Sequence, residues 1–309
     1  MKKLRLEFAD TMLDVGQSDP RLVVMVGDIS HGILQPFAKA FPGRYYNIGI
    51  CEPTIVNMAA GLNKVGLIPV VHTIAPFIIE RAYEQIKLDF GYQNLSLNLI
   101  SVGGAFDYAQ LGCSHHCYTD VSLLSHLKRS VVVLPGSPIE FNKLFKDIYA
   151  NGLINYFRLP EHPHGVEFKA SELQLGRGIR VREGSDVTLA AIGTQLRTAL
   201  AASERLAEAG ISAEVLYFHT LKPFDSALLR ASVGKTRRFV TVEELSAHDG
   251  LFNLCLRACL GLDRIEARQI AIEDFIHGYG SYDELCAKVG LTPDGIAQTA
   301  RSICPAFRR

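Results

Sequence analysis

No sign of charge prevails in this 309-residue chain, because 32 Lys and Arg balance 32 Asp and Glu. No long-range field therefore recruits nucleic acid or an anionic membrane. Nor does any apolar run reach the ~18 residues of a membrane span; the nearest, over 67–79, is interrupted by Pro69, His72 and Pro76. The start, Met-Lys-Lys-Leu-Arg-Leu-Glu-Phe-Ala-Asp, has basic residues but no apolar core, so it does not read as a secretory signal. Seven cysteines, an odd number, are scattered without the density of a disulfide scaffold, which suits a reducing cytoplasm. Gly-x-x-x-x-Gly-Lys-Ser/Thr and a convincing Gly-x-Gly-x-x-Gly are missing, as are low-complexity segments and residue-level repeats. What remains, 48% hydrophobic and 21% charged, describes a globular protein long enough for two domains.

Short apolar runs over 22–26, 68–71, 97–102 and 131–134 alternate with amphipathic stretches over 77–90 and 138–149. Such alternation predicts an α/β fold with a mostly parallel sheet flanked by helices. After Arg158-Leu-Pro-Glu-His-Pro-His-Gly165 the texture turns polar, and the alternation restarts near 184. Strands are expected over 186–192, 213–217 and 238–242, with helices over 196–209 and 248–260 and Gly210 as a helix stop. The expected domains are thus 1–165 and 184–309, joined by a linker over 166–183.

The most telling stretch is Tyr46-Asn-Ile-Gly-Ile-Cys-Glu-Pro-Thr-Ile-Val-Asn-Met-Ala-Ala-Gly-Leu62. Glu52 stands alone where a short strand gives way to a helix whose Ala59, Ala60 and Gly61 allow close packing. An isolated acid in apolar company resists ionisation and is suited to share a proton near neutrality. The plain alternative is a surface acid in the first turn of a helix, where the dipole favours it.

This segment resembles the Asn/Asp-x-Gly/Ala-Ile-x-Glu run of the pyrimidine-binding domain of transketolases and their thiamine-diphosphate relatives. In that family the Glu bonds the aminopyrimidine ring of the cofactor. Thr73-Ile-Ala-Pro-Phe77, followed by Arg81-Ala-Tyr-Glu-Gln-Ile86, resembles the Thr-Phe-x-x-Phe segment, with Phe77 at the position that stacks on that ring and Ile74 in place of the earlier Phe. Read by itself, Phe77 is core filling. Gly112-Cys-Ser-His-His116 resembles the Gly-x-Thr-His-His/Gln loop, which implies that His115 faces the substrate with His116 beside it. Cys113, His115, His116 and Cys117 also raise zinc, but adjacent His and a Cys-x3-Cys pair do not easily reach one tetrahedron. Thr119 and Asp120 match the start of the next helix, where a cap is the plain alternative. Asp28, in Val26-Gly-Asp-Ile-Ser30, matches a position that approaches the cofactor. It too could cap a helix.

Tyr156-Phe-Arg-Leu-Pro160 resembles the segment that closes the domain, whose Arg grips a substrate phosphate; Arg158 keeps that residue. Gly32 and Gly103 stand where a Ser and a His would help, so weaker dependence on a terminal phosphate is expected. In the second half, Asp186-Val-Thr-Leu-Ala-Ala-Ile-Gly-Thr, Leu221-Lys-Pro-Phe-Asp225 and Val240-Thr-Val-Glu-Glu244 follow the strand, turn and strand signatures of the transketolase C-terminal domain. His248-Asp-Gly-Leu departs from it where relatives carry two glycines. The family's Gly-Asp-Gly…Asn segment, which holds the diphosphate through Mg²⁺, is missing from this chain.

The resemblance therefore implies the pyrimidine-binding subunit of a split transketolase. Its cofactor is thiamine diphosphate, and its Mg²⁺ is held by a separate N-terminal-half subunit in an α2β2 assembly with β–β contact. The activity implied is transfer of a two-carbon ketol unit from a ketose to an aldose. The alternatives are the β subunit of a 2-oxo acid dehydrogenase and a non-catalytic regulatory partner. Ser114-His-His116 and the Arg158 segment favour the transketolase over the first, and retention of Glu52, Phe77 and His115 speaks against the second.

Overall fold

The computed structural model describes residues 2–304; Met1 and 305–309, the outer ends of the two expected domains, lie outside the described residues. The apolar runs become strands β1 (Leu22–Val26), β2 (Tyr45–Asn47), β3 (Ile68–Ile74), β4 (Leu97–Val102), β5 (Ser130–Val133) and β6 (Ile154–Leu159). These six pair in parallel in the order β5-β6-β4-β3-β1-β2. Side chains alternate between faces along a strand. Val23 and Met25 accordingly meet Ile55, Val56 and Ala59 of the helix Glu52–Lys64. Leu22, Val24 and Val26 meet Phe8, Met12 and Phe141 of the helices Leu4–Ser18 and Pro138–Ile148 on the other face.

The second half contributes β7 (Ile179–Arg182), β8 (Val187–Ile192), β9 (Ala213–Phe218), β10 (Thr220–Lys222), β11 (Arg238–Ser246) and β12 (Glu266–Ile272). Five of them form a second sheet, β12-β11-β8-β9-β7, parallel except at β7. Gly210 takes φ +75 just beyond the helix Leu196–Glu208, in the place expected for its stop.

Three expectations change. The stretch over 77–90 is not one amphipathic helix: two wide π-helical turns, Pro76–Glu80 and Ile86–Tyr92, flank a short α-helical turn at Tyr83–Gln85. Such widened turns change which side chains share a face, and they recur at functional sites. The segment over 166–183 is not loose chain either. It buries Phe168 and Leu173, and its β7 pairs antiparallel with β9 as an edge strand. Finally, Leu221-Lys-Pro-Phe-Asp225 does more than turn, because β10 leaves its own domain and pairs antiparallel with β5. Lys222 Nζ fastens it by donating to Ser125 O and Ser130 Oγ, each at 3.0 Å. Pro223 then stops the ladder, since it has no N–H to donate.

Candidate active site

The residues singled out above gather at the C-terminal ends of the parallel strands, where α/β sheets place their ligands. Glu52 opens the helix after β2, Phe77 lies just past β3, Asp28 just past β1, and His115 on the long loop after β4.

Glu52 is 1% exposed, and its Oε2 accepts a hydrogen bond from Arg81 Nη1 at 2.7 Å. It is therefore not the isolated acid expected from the sequence. Its other oxygen, Oε1, is buried without any protein partner, a state that costs free energy unless something donates to it. The Arg81 guanidinium also lies 4.3 Å from the centre of the Phe77 ring. His115 meets that ring edge-on, with centroids 5.1 Å apart. Glu52, Arg81, Phe77 and His115 thus form one continuous wall. Sequence reasoning gave Arg81 no role, although its place four residues after Phe77 is the spacing at which helical neighbours meet.

Burial, and then the Arg81 charge, push the His115 imidazole below its usual range. Neutral imidazole keeps one N–H donor and one acceptor, and Ser114 Oγ lies 3.0 Å from Nδ1. His116 does not stand beside it as a second imidazole on the wall: it is 5% exposed and packs edge-on against Phe106 at 5.4 Å.

The phosphate-gripping role expected of Arg158 does not fit its surroundings. At 6% exposure its Nη1 donates to Asp120 Oδ1 at 3.1 Å and its Nη2 to the Glu244 carbonyl at 3.0 Å, with Glu244 Oε2 at 3.7 Å. A Cβ on Gly104 would lie 2.3 Å from Arg158 Nε, so the chain leading into the His115 loop rests directly on this side chain. Asp120 is fully buried and accepts from Tyr156 as well, so it is a structural acceptor and not a helix cap. Asp107 joins the group, its carboxyl pushed up by burial and then by Glu244. Ser246 N–H, at the end of β11, donates to Tyr118 O at 2.9 Å, so the second domain holds the far end of the loop. Nothing in the residue types marked Glu244 as the partner of Arg158, because that contact exists only once the two domains pack.

Asp28 is exposed, takes φ +56, and accepts from Asn47 Nδ2 at 3.1 Å, so it caps no helix. Gly103, at φ +71, has the Tyr108 ring where a side chain would begin, 2.3 Å from where a Cβ would lie, whereas Gly32 has open space. Cys113 is exposed while Cys117 is buried with its thiol toward Glu80 at 3.6 Å. Among the described residues no group of three or more His, Cys, Asp or Glu is placed to hold a metal ion.

With this geometry in view, the likeness to known proteins is direct. Residues 2–162 match the transketolase pyrimidine binding domain and residues 176–296 the transketolase C-terminal domain. The 6-deoxy-6-sulfo-D-fructose transketolase subunit SqwH of Clostridium sp. (strain MSTE9) is 31% identical over 97% of this chain and 94% of its own. One of the apulose-4-phosphate transketolase subunits of Phocaeicola vulgatus is likewise 31% identical, over 96% of each chain. The chain spans about half of the 1-deoxy-D-xylulose-5-phosphate synthase of Heliobacterium modesticaldum, matching 47% of it at 31% identity. A split-gene transketolase solved as an inactive beta4 tetramer superposes with TM-score 0.86 at 29% identity, over 97% of both chains. A point mutant of Pichia stipitis transketolase shares the fold, with TM-score 0.77 at 16% identity over 45% of its length. A 2-oxo acid dehydrogenase subunit is not favoured by these relatives. Both halves of the chain, and relatives of the same length, agree that it belongs to the transketolase family, as a subunit of the split type.

Proposed function

We propose that this chain supplies the pyrimidine-binding half of a two-subunit transketolase that moves a two-carbon ketol unit from a ketose to an aldose in carbohydrate metabolism. The observation that carries the reading is the buried, unpartnered Oε1 of Glu52 beside Arg81, Phe77 and His115. The family implies thiamine diphosphate, which when bound supplies the nucleophilic carbon for breaking and making a C–C bond. The residues fit its aminopyrimidine ring: a carboxylate oxygen in want of a donor stands next to an aromatic ring.

On this reading Glu52 Oε1 holds or shares a proton at N1′ of that ring, and Phe77 orients it through ring contact, worth about 1 kcal/mol beyond burial. Asp28 borders the cofactor from the end of β1. His115, kept neutral by burial and by Arg81, donates to oxygens of the sugar as charge develops on them, the task of preorganised donors. Mg²⁺ and the diphosphate fall to the partner, a separate N-terminal-half subunit, in an α2β2 assembly with β–β contact. Seven free thiols support a cytoplasmic location, and among the described residues no helix is long and apolar enough to cross a membrane.

Mixing the purified chain with its partner should produce ketol transfer that depends on thiamine diphosphate and Mg²⁺, with none from this chain alone. Turnover by the isolated chain, or none by the mixture, would reject the reading.

A further inference from the structure

A cavity of about 410 Å³ lies next to the wall, between Leu111, Gly112 and Ser114 on one side and Phe275, His277 and Tyr279 on the other. Its sides come from different domains: the first follows β4, the second follows β12. The contact between them is close. A Cβ on Gly112, which has φ +76, would lie 2.7 Å from Tyr279 Cε1, and Phe275 sits edge-on to Tyr118 at 6.2 Å. Ser114 lines the cavity and is 3.0 Å from His115 Nδ1, so the space begins one residue from the imidazole that touches Phe77. Phe275 and Tyr279 are 61% and 72% exposed, large aromatic faces turned outward beside a reactive site. Pockets that bind small molecules combine such faces with a few placed polar groups, here Ser114, His277 and the Tyr279 hydroxyl. Among the described lining residues there is no Lys or Arg, and Arg158 is committed to Asp120 and Glu244.

We infer that this cavity is the subsite for the far, non-transferred end of the sugar, and that it takes an uncharged terminus whose C–H face lies against Tyr279. The second domain thereby takes part in choosing the substrate. The inference rests on the transketolase reading above and adds the chemical class of the sugar end to it.

The test uses the reconstituted two-subunit enzyme with three donors: hydroxypyruvate, which leaves no far end to fill the cavity, fructose, and fructose 6-phosphate. Tyr279→Ala should lower kcat/KM for fructose about tenfold, the worth of one aromatic face. Hydroxypyruvate should stay within about twofold, as expected when only far-end contacts are lost. Tyr279→Phe, which keeps the ring and loses the hydroxyl, should lose clearly less with fructose than Tyr279→Ala. Equal losses with both donors would reduce Tyr279 to a prop for the loop and overturn the inference. So would an unchanged rate with fructose, or a wild-type preference for the phosphorylated sugar above about 10²-fold, which would require a charge-assisted contact this cavity lacks. Calorimetric titration of the complex with fructose separates this inference from the parent reading. If the wild type turns over no donor, the transketolase reading fails by itself. Fructose affinity lost in Tyr279→Ala still supports the subsite, and unchanged affinity refutes it.

Discussion

Replacing Arg158 by methionine keeps most of its length and removes its charge, leaving two buried carboxylates without their cation. Asp120 would retain only Tyr156, and Glu244 would retain Gln195 Nε2 at 2.6 Å and Tyr282. Both acids are buried, at 0% and 7% exposure, so water cannot take the place of the guanidinium. Removing one partner of a buried pair costs roughly 3–5 kcal/mol, because the other charge is left uncompensated. At roughly 2–4 °C per kcal/mol for a chain of this class, the midpoint of thermal unfolding should fall by roughly 6–20 °C. Differential scanning calorimetry of the purified chain reads this directly. Asp120→Asn added to Arg158→Met should recover part of the loss, with a coupling of about 0.5–3 kcal/mol. A phosphate-gripping Arg predicts a different pattern: near-normal stability, with the loss confined to phosphorylated sugars. Stability within about 1 kcal/mol of wild type, with a fall above about 10²-fold for the phosphorylated ketose only, would refute the interdomain role.

Other outcomes follow from the same geometry. Glu52→Gln should lower turnover by roughly 10²–10⁴, the worth of a positioned acid or base, without disturbing assembly; a rate within about threefold of wild type would reject the assignment. Arg81→Gln removes one of the two influences that depress His115, so its NMR titration should move up toward 6.5, and the acid limb of kcat/KM should move to higher pH with it. A His115 midpoint that does not rise would show that Arg81 exerts no such field. Glu243 has its carboxyl raised to about 7 by burial, although Phe252 N–H donates to it at 3.0 Å. The folded state therefore holds a proton that the unfolded state has released. The stability this brings is present below about 4.5 and lost as pH rises through about 7, roughly 3 kcal/mol in all. Glu243→Gln should flatten the stability profile between pH 5 and 8, and a variant that keeps the wild-type slope would point to another group.

The sequence by itself determined the alternation of strands and helices, because continuous Val- and Ile-rich runs leave few options other than buried parallel strands. It likewise put Glu52 and Phe77 shortly after the ends of strands and His115 on the long loop after another, the side of such sheets where functional loops collect. Local pattern could not reach the rest. The widened turns over 76–92 escape a periodicity count, which assumes the α-helical repeat. The strand at 220–222 carries the sequence of a turn and becomes an edge only because β5 offers an unpaired side. Arg158 shows the difference most clearly. A motif marked it as an anion ligand, and its charge would serve a phosphate or a carboxylate equally well. Which it meets is decided by tertiary packing, which brings Asp120 and Glu244, 38 and 86 residues away in sequence, within hydrogen-bonding distance of one guanidinium.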